Sequence, residues 1–247
     1  MSYYRNAPSR GGWGGGVGLA IPPVTPVNKA LMIACGIVWG VQILADLIFH
    51  VDIARFLGLV PVAVVRGAVW QLATYEFLHA LPRVSISHIL FNLLTMWMIG
   101  GDLERHWGGR KYLTYWLVCG IGAGVCVALA GGFRDVRIPT IGASGAIYGL
   151  LLAYGTIFGE RVFLFMMLFP LKARTVAWIL FGIAFISSLS PGTDPVSHVA
   201  HLGGMVVGWL YLKRAWRVSD LWREIVWRIR RRRFKVMPPG DQDRWIH

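Results

Sequence analysis

Long apolar stretches, separated by short polar, basic or glycine-rich turns, occupy the chain from about residue 30 to residue 212. Ala30–Phe49 is the first of them; a helix of about 20 residues rises about 30 Å, the thickness of a bilayer's hydrocarbon core. Val84–Gly101, Tyr112–Phe133, Pro139–Gly159, Thr175–Ser190 and Val196–Leu212 repeat the pattern. It predicts an all-α polytopic membrane protein, a bundle of six transmembrane helices over residues 29–212. Val162–Leu171 is also apolar but too short to cross as a helix, so it is placed at the inner interface, ending at Lys172 and Arg174. Residues 50–85 mix apolar and polar positions, with Trp70, Tyr75 and Phe77 among them. That connection is expected to lie in the headgroup region without crossing it.

Six crossings put both termini on one side, together with the basic turn Arg105–Lys111, the turn Glu160–Arg174 and the Arg-rich C-terminus. The Lys/Arg bias makes that side the cytoplasm, in a bacterial-type plasma membrane. Residues 1–28, centred on Gly11–Gly16, read as a flexible Gly/Pro-rich tail. Residues 213–247 form a basic cytoplasmic tail. Its Trp216, Leu221, Trp222, Ile225, Val226 and Ile229 fit an amphipathic helix on the inner leaflet, and the whole equally fits a solvated basic anchor. No cleavable signal peptide is expected, because the first long apolar run begins only near Ala30; Arg5 and Arg10 without acidic residues allow a mitochondrial presequence, against which the glycines oppose an amphipathic helix.

Composition narrows the function classes. A hydrophobic fraction of 55%, with 15% charged residues and a mean hydropathy of +0.54, excludes an ordinary soluble domain. The net charge of +13 sits beside spans and in the C-terminal tail, which points to a lipid bilayer and not to nucleic acid. Cys35, Cys119 and Cys126 all fall in predicted spans, without a CxxC, and read as packing residues. Nothing in the sequence calls for a cofactor.

Polar side chains within spans are costly, so each is a candidate for function. His88 and Asn92 interrupt the second span, Ser144 lies in the fourth within Gly142-Ala143-Ser144-Gly145, and His201 lies in the sixth, with His198 one turn earlier. The topology places His88, Ser144 and His201 about four to five residues in from the same face, one layer roughly 6–8 Å deep. A serine hydroxyl becomes a nucleophile when a neutral imidazole takes its proton, so Ser144 is assigned as nucleophile and His201 as base. No carboxylate lies at that depth, which favours a dyad over a triad. His88 and Asn92, at i and i+4, share a helix face and could donate to an oxyanion together with the Ser144 amide. Duller readings stand beside these: small-residue helix packing around Gly145, Gly149, Gly203, Gly204 and Gly208, and interhelical hydrogen bonding by His88 and Asn92. A metal on His88, His198 and His201 is opposed by the lack of an HExxH motif and of an acidic ligand. His198 is an alternative base.

With these residues in place the chain resembles the rhomboid family of intramembrane serine proteases. The resemblance is carried by Trp70 and His79 in the first connection, His88-Ile-Leu-Phe-Asn92, Gly142-Ala-Ser144-Gly145, and Ala200-His201-Leu-Gly203-Gly204 with Gly208. It implies a six-helix bundle with a short central fourth helix, a cavity that admits water, and single-span membrane proteins as substrates. It also implies Ser144 and His201 as the dyad, in preference to His198, with His88 and Asn92 as oxyanion residues. The family often carries Trp-Arg in the first connection where this chain has Trp70-Gln71, a change that bears on how that loop packs. Glu104 matches a frequent acidic position taken as structural. Two other classes remain: a catalytically silent family member that binds membrane clients, and a small transporter, which lacks a visible inverted repeat.

Overall fold

The computed structural model describes residues 22, 24–132, 139–165, 168–189, 198–213 and 226–227. The glycine-rich tail up to residue 21, the polar loop at 134–138, the Pro191-Gly192 turn and nearly all of the basic C-terminal tail lie outside the described residues.

Helix α1, Pro26–Phe49, opens with proline, whose missing N–H costs nothing in a first turn. It begins four residues ahead of the expected span. Only Asn28, Leu31, Cys35 and Gln42 are buried on it, while Ile37, Val41, Leu44 and Ile48 are exposed along the opposite side. An exposed apolar stripe of this kind suits lipid. The connection that follows folds into three short helices, α2 (Ala54–Leu57), α3 (Pro61–Val65) and α4 (Gln71–Thr74), and a 3₁₀ turn, Tyr75–Phe77. The departure at Gln71 has a structural account. Its buried amide accepts from Val60 N–H at 3.0 Å and donates to the Phe56 carbonyl at 3.2 Å, tying the loop to itself.

Helix α5, Pro82–Thr95, is interrupted at Ser85, whose backbone is extended. It continues through a π-helical stretch, Met96–Gly100, into α6, Gly101–Trp107. Asn28 donates to the Met96 carbonyl there at 2.9 Å and accepts from Tyr112 Oη at 2.7 Å; a side chain at Gly100 would occupy the space of the Asn28 amide. Helix α7 is Gly109–Gly132, α8 is Ser144–Ile157 and α9 is Ala173–Leu189; a further helix, α10, runs over 198–213.

Among the described residues three helical stretches are long and apolar enough to cross a membrane: Pro26–Phe49, Pro82–Trp107 and Gly109–Gly131. Helices α8 and α9 are apolar but shorter, at 14 and 17 residues. The expected fourth span, Pro139–Gly159, is therefore corrected. Its first residues are not helical, because Leu59 and Thr140 exchange two backbone hydrogen bonds of 2.9 Å and Gly142 N–H donates to the Tyr75 carbonyl at 2.9 Å. The all-helical expectation is corrected at one further place. Within Val162–Leu171 the chain forms an antiparallel hairpin, β1 (Val162–Phe165) with β2 (Phe169–Lys172). A run too short to cross satisfies its backbone by pairing with itself, and Pro170 is tolerated because a two-stranded sheet has only edges.

Helix α8 lies at the centre: eight of its fourteen residues are buried, around the helix and not along one stripe. Glycines allow the close approach. A side chain at Gly149 would meet Cys119 Sγ at 2.5 Å on α7 and the Gly204 carbonyl at 3.1 Å on α10, and one at Gly204 would collide with the Gly145 carbonyl. The fully buried Tyr112, Tyr115, Trp116, Cys119, Ala123 and Val127 of α7 close the core around it.

Candidate active site

The site is set by where α8 begins. Ser144 is its first residue, and Ala143 before it offers no side-chain cap. The first backbone bond of the helix runs from Ile147 N–H to the Ala143 carbonyl, 3.0 Å, so the amides of Ser144, Gly145 and Ala146 have no intrahelical acceptor. A Ser, Thr or Asp at position 143 would compete for those amides; alanine leaves them to a ligand. Gly142 has φ +121°, a conformation that favours glycine, and a Cβ there would lie 2.7 Å from His88 Nε2.

Side by side with α8, α10 brings in His201. Its Nε2 stands 2.9 Å from Ser144 Oγ, the distance at which the hydroxyl donates to an imidazole lone pair. Tyr148, one turn after Ser144, stacks on the His201 ring with centroids 4.1 Å apart and planes 1° from parallel, which fixes the orientation of the imidazole. The sequence reading missed Tyr148; its i, i+4 spacing from Ser144 was the available signal. His198 also belongs to α10, its ring 6.0 Å from that of His201, and it is His201 whose nitrogen meets the hydroxyl.

Ser144, His201, Tyr148, His88 and Asn92 line one cavity of about 400 Å³, closed on other sides by Met98 of the π-helical stretch and by Val176 and Leu180 of α9. His88 accepts from Ala80 N–H at Nδ1, 3.4 Å away. Its hydrogen therefore resides on Nε2, the nitrogen nearer Gly142. Asn92 is buried, and its Nδ2 has no partner among the described residues. Because Asn92 lines the cavity, that donor is available to an acceptor brought by a ligand. Behind His88, ring to ring at 5.2 Å, is the fully buried His79. Burial, with His88 adding to it, pushes the His79 pKa down to about 4, so that imidazole stays neutral.

The four residues picked from the sequence thus meet in one place: a hydroxyl hydrogen-bonded to an imidazole, beside helix-terminal amides and two further donors. Such a set has the parts for acyl transfer. Among the described residues no group of three or more His, Cys, Asp or Glu side chains is arranged to hold a metal.

Comparison with known proteins agrees in kind. The family model described as "Rhomboid domain" matches residues 66–217, a range that includes all four residues. The rhomboid protease GluP of Bacillus subtilis (strain 168) is 28% identical over 148 residues, 59% of this chain and 26% of that protein. The rhomboid protease GlpG of Yersinia pseudotuberculosis serotype I (strain IP32953) is 31% identical over 144 residues, 58% of this chain and 46% of that protein; GlpG of Yersinia pestis (strain Pestoides F) gives the same figures. The match thus spans less than half the length of each of these relatives.

Proposed function

We propose that this chain, which belongs to the rhomboid family, is an intramembrane serine endopeptidase that cleaves single-span membrane proteins with a Ser144–His201 dyad. The observation that carries the proposal is the 2.9 Å approach of His201 Nε2 to Ser144 Oγ at the wall of a cavity. The protease names of the relatives support the same reading.

In this account His201 Nε2 takes the Ser144 proton as Oγ attacks the scissile carbonyl carbon. The oxyanion that forms is held by the first-turn amides of α8, by His88 Nε2–H and by Asn92 Nδ2–H. The intermediate collapses, the C–N bond breaks, and the departing amine takes the proton back from His201. Water then attacks the acyl ester on Ser144 with His201 as base, the ester C–O bond breaks to release the new C-terminal carboxyl, and His201 returns the proton to Ser144 Oγ. Tyr148 keeps the imidazole plane aligned through both halves of the cycle. The proposal includes six crossings, with α8, α9 and α10 as the last three, and both termini in the cytoplasm of a bacterial cell; the Ser144 layer then faces the outer side.

The test is cleavage of a single-span reference protein by the full chain in liposomes. Wild type should cut within or beside the span. Ser144→Ala should lower the rate by at least about 10³-fold while retaining the fold. Equal cleavage by Ser144→Ala would reject the serine mechanism, and a folded wild type that binds the span without cutting it would favour a client-binding protein.

A further inference from the structure

The Ala80 N–H that reaches His88 belongs to the peptide unit joining His79 and Ala80. That unit is planar and trans, so the His79 carbonyl and the Ala80 N–H point from opposite edges of one rigid plate. Gln42 of α1 grips the far edge, its Nε2 donating to the His79 carbonyl at 3.2 Å. The same side chain accepts from His79 N–H through Oε1 at 3.0 Å, so the two bonds bracket residue 79. One turn earlier on α1, Trp39 Nε1 donates to the Ala80 carbonyl at 2.9 Å. Gln42 is buried, on a helix that buries few residues. Of the common side chains at this length only an amide offers a donor and an acceptor together; an ionised carboxylate lacks the donor, and methionine lacks the donor and has only a weakly accepting sulfur.

We infer that Gln42, assisted by Trp39, is a positioning residue: it aims the Ala80 N–H at His88 Nδ1 and so keeps the His88 hydrogen on Nε2, facing the oxyanion position. The inference rests on the reading of His88 as an oxyanion donor. A neutral imidazole has one N–H, and the partner of one nitrogen decides which carries it. With an N–H pointed at Nδ1, the tautomer that donates from Nδ1 is excluded. At 3.4 Å the Ala80 contact is long, so a small rotation of the 79–80 plate would break it and leave both tautomers available. Helix α1 itself contributes nothing to the cavity wall, and this plate is the route by which Gln42 reaches His88.

The experiment is a double-mutant cycle on the full chain in liposomes, with kcat and KM for a single-span substrate and the thermal midpoint measured for wild type, Gln42→Met, His88→Ala and the pair. Gln42→Met should lower kcat about tenfold, less than the 10²–10³ for losing a donor outright, with KM unchanged and with no further loss in the His88→Ala background. A loss that multiplies in that background, or an unchanged kcat, would overturn the inference and leave Gln42 as structural bonding only. If Gln42→Met does not fold, Trp39→Phe replaces it, with a fall of about threefold expected and the same non-additivity. A second arm reads the tautomer without turnover. In 15N NMR of the imidazoles, the His88 signal, identified by its loss in His88→Ala, should report hydrogen on Nε2 in wild type and a mixture in the Gln42 variant. Hydrogen on Nδ1 in wild type would contradict the inference. Full cleavage by Ser144→Ala would instead reject the protease reading, while the NMR arm would still decide the tautomer.

Discussion

At the C-terminal end of α8, Tyr154 donates to Asp102 at 3.1 Å, and Asp102 is met by Arg161 at 2.7 Å. Nearby Glu104 of α6 accepts from Thr25 Oγ1, Val27 N–H and Asn28 N–H at 2.5–3.0 Å, so the first turn of α1 is capped by another helix. Around Ser144, at the other end of α8, the pattern reverses. Asn92 Nδ2 on the cavity wall is buried without a partner among the described residues, as is His79 Nε2 behind His88; outside the cavity lining, the Glu76 carboxyl and Trp116 Nε1 are also unpartnered among them. Asp102 and Glu104 find partners within the protein, whereas Asn92, on the cavity wall, keeps an amide hydrogen-bond donor without one among the described residues. The difference separates polar groups that hold the fold from polar groups available to a ligand.

The largest expected effect is at the unsatisfied end. His88→Ala and Asn92→Ala should each lower kcat about 10²–10³-fold, roughly 3–4 kcal/mol of transition-state stabilisation, with a thermal midpoint near wild type. If either instead unfolds the protein and leaves the kcat of the folded fraction intact, the contrast between the two ends is lost. The paired end should respond the other way. Glu104→Ala strands one hydroxyl and two amides and should cost about 3 kcal/mol of stability, while the folded fraction keeps its kcat. Thermal unfolding run beside single-turnover cleavage separates the two outcomes.

The smallest effect sharpens the comparison through Glu76. Burial raises its pKa well above the ordinary carboxyl value of 4.5, so folding holds the proton on it to higher pH than the unfolded chain does. The unfolded chain ionises it as pH passes 4.5, and the folded state does not follow. Stability from this group is therefore lost as pH rises above 4.5, until the folded carboxyl itself ionises. Glu76→Gln removes that dependence. The variant should melt a few degrees above wild type at pH 8 and coincide with it near pH 4; a lower midpoint at pH 8 would mean that the carboxyl has a partner that matters.

Much of this was legible in the sequence because a membrane makes polar residues conspicuous. Ser144, His201, His88 and Asn92 stood out in apolar runs at matching depth, and the structure brings them together. What stayed hidden depends on partners distant in sequence. The apolar run from Pro139 onward continues without a break into α8, and the bonds from Leu59 and Tyr75 that keep its first residues out of the helix come from far along the chain. Gln42 and Trp39 looked like ordinary members of a first span; their bonds to residues 79 and 80 are long-range. Tyr148 was one aromatic among many until its ring lay on His201. The hairpin within Val162–Leu171 arises from pairing, which hydropathy does not report.

The central claim is that Ser144 is an activated nucleophile and His201 its base. The most direct measurement is covalent labelling of the purified full chain by a fluorophosphonate probe, in wild type, Ser144→Ala and His201→Ala, each confirmed folded by its thermal transition. The account predicts labelling of wild type at Ser144, none in Ser144→Ala, and a loss of at least about 10²-fold in rate in His201→Ala. A folded wild type that does not label, or labelling that survives removal of Ser144, would contradict it.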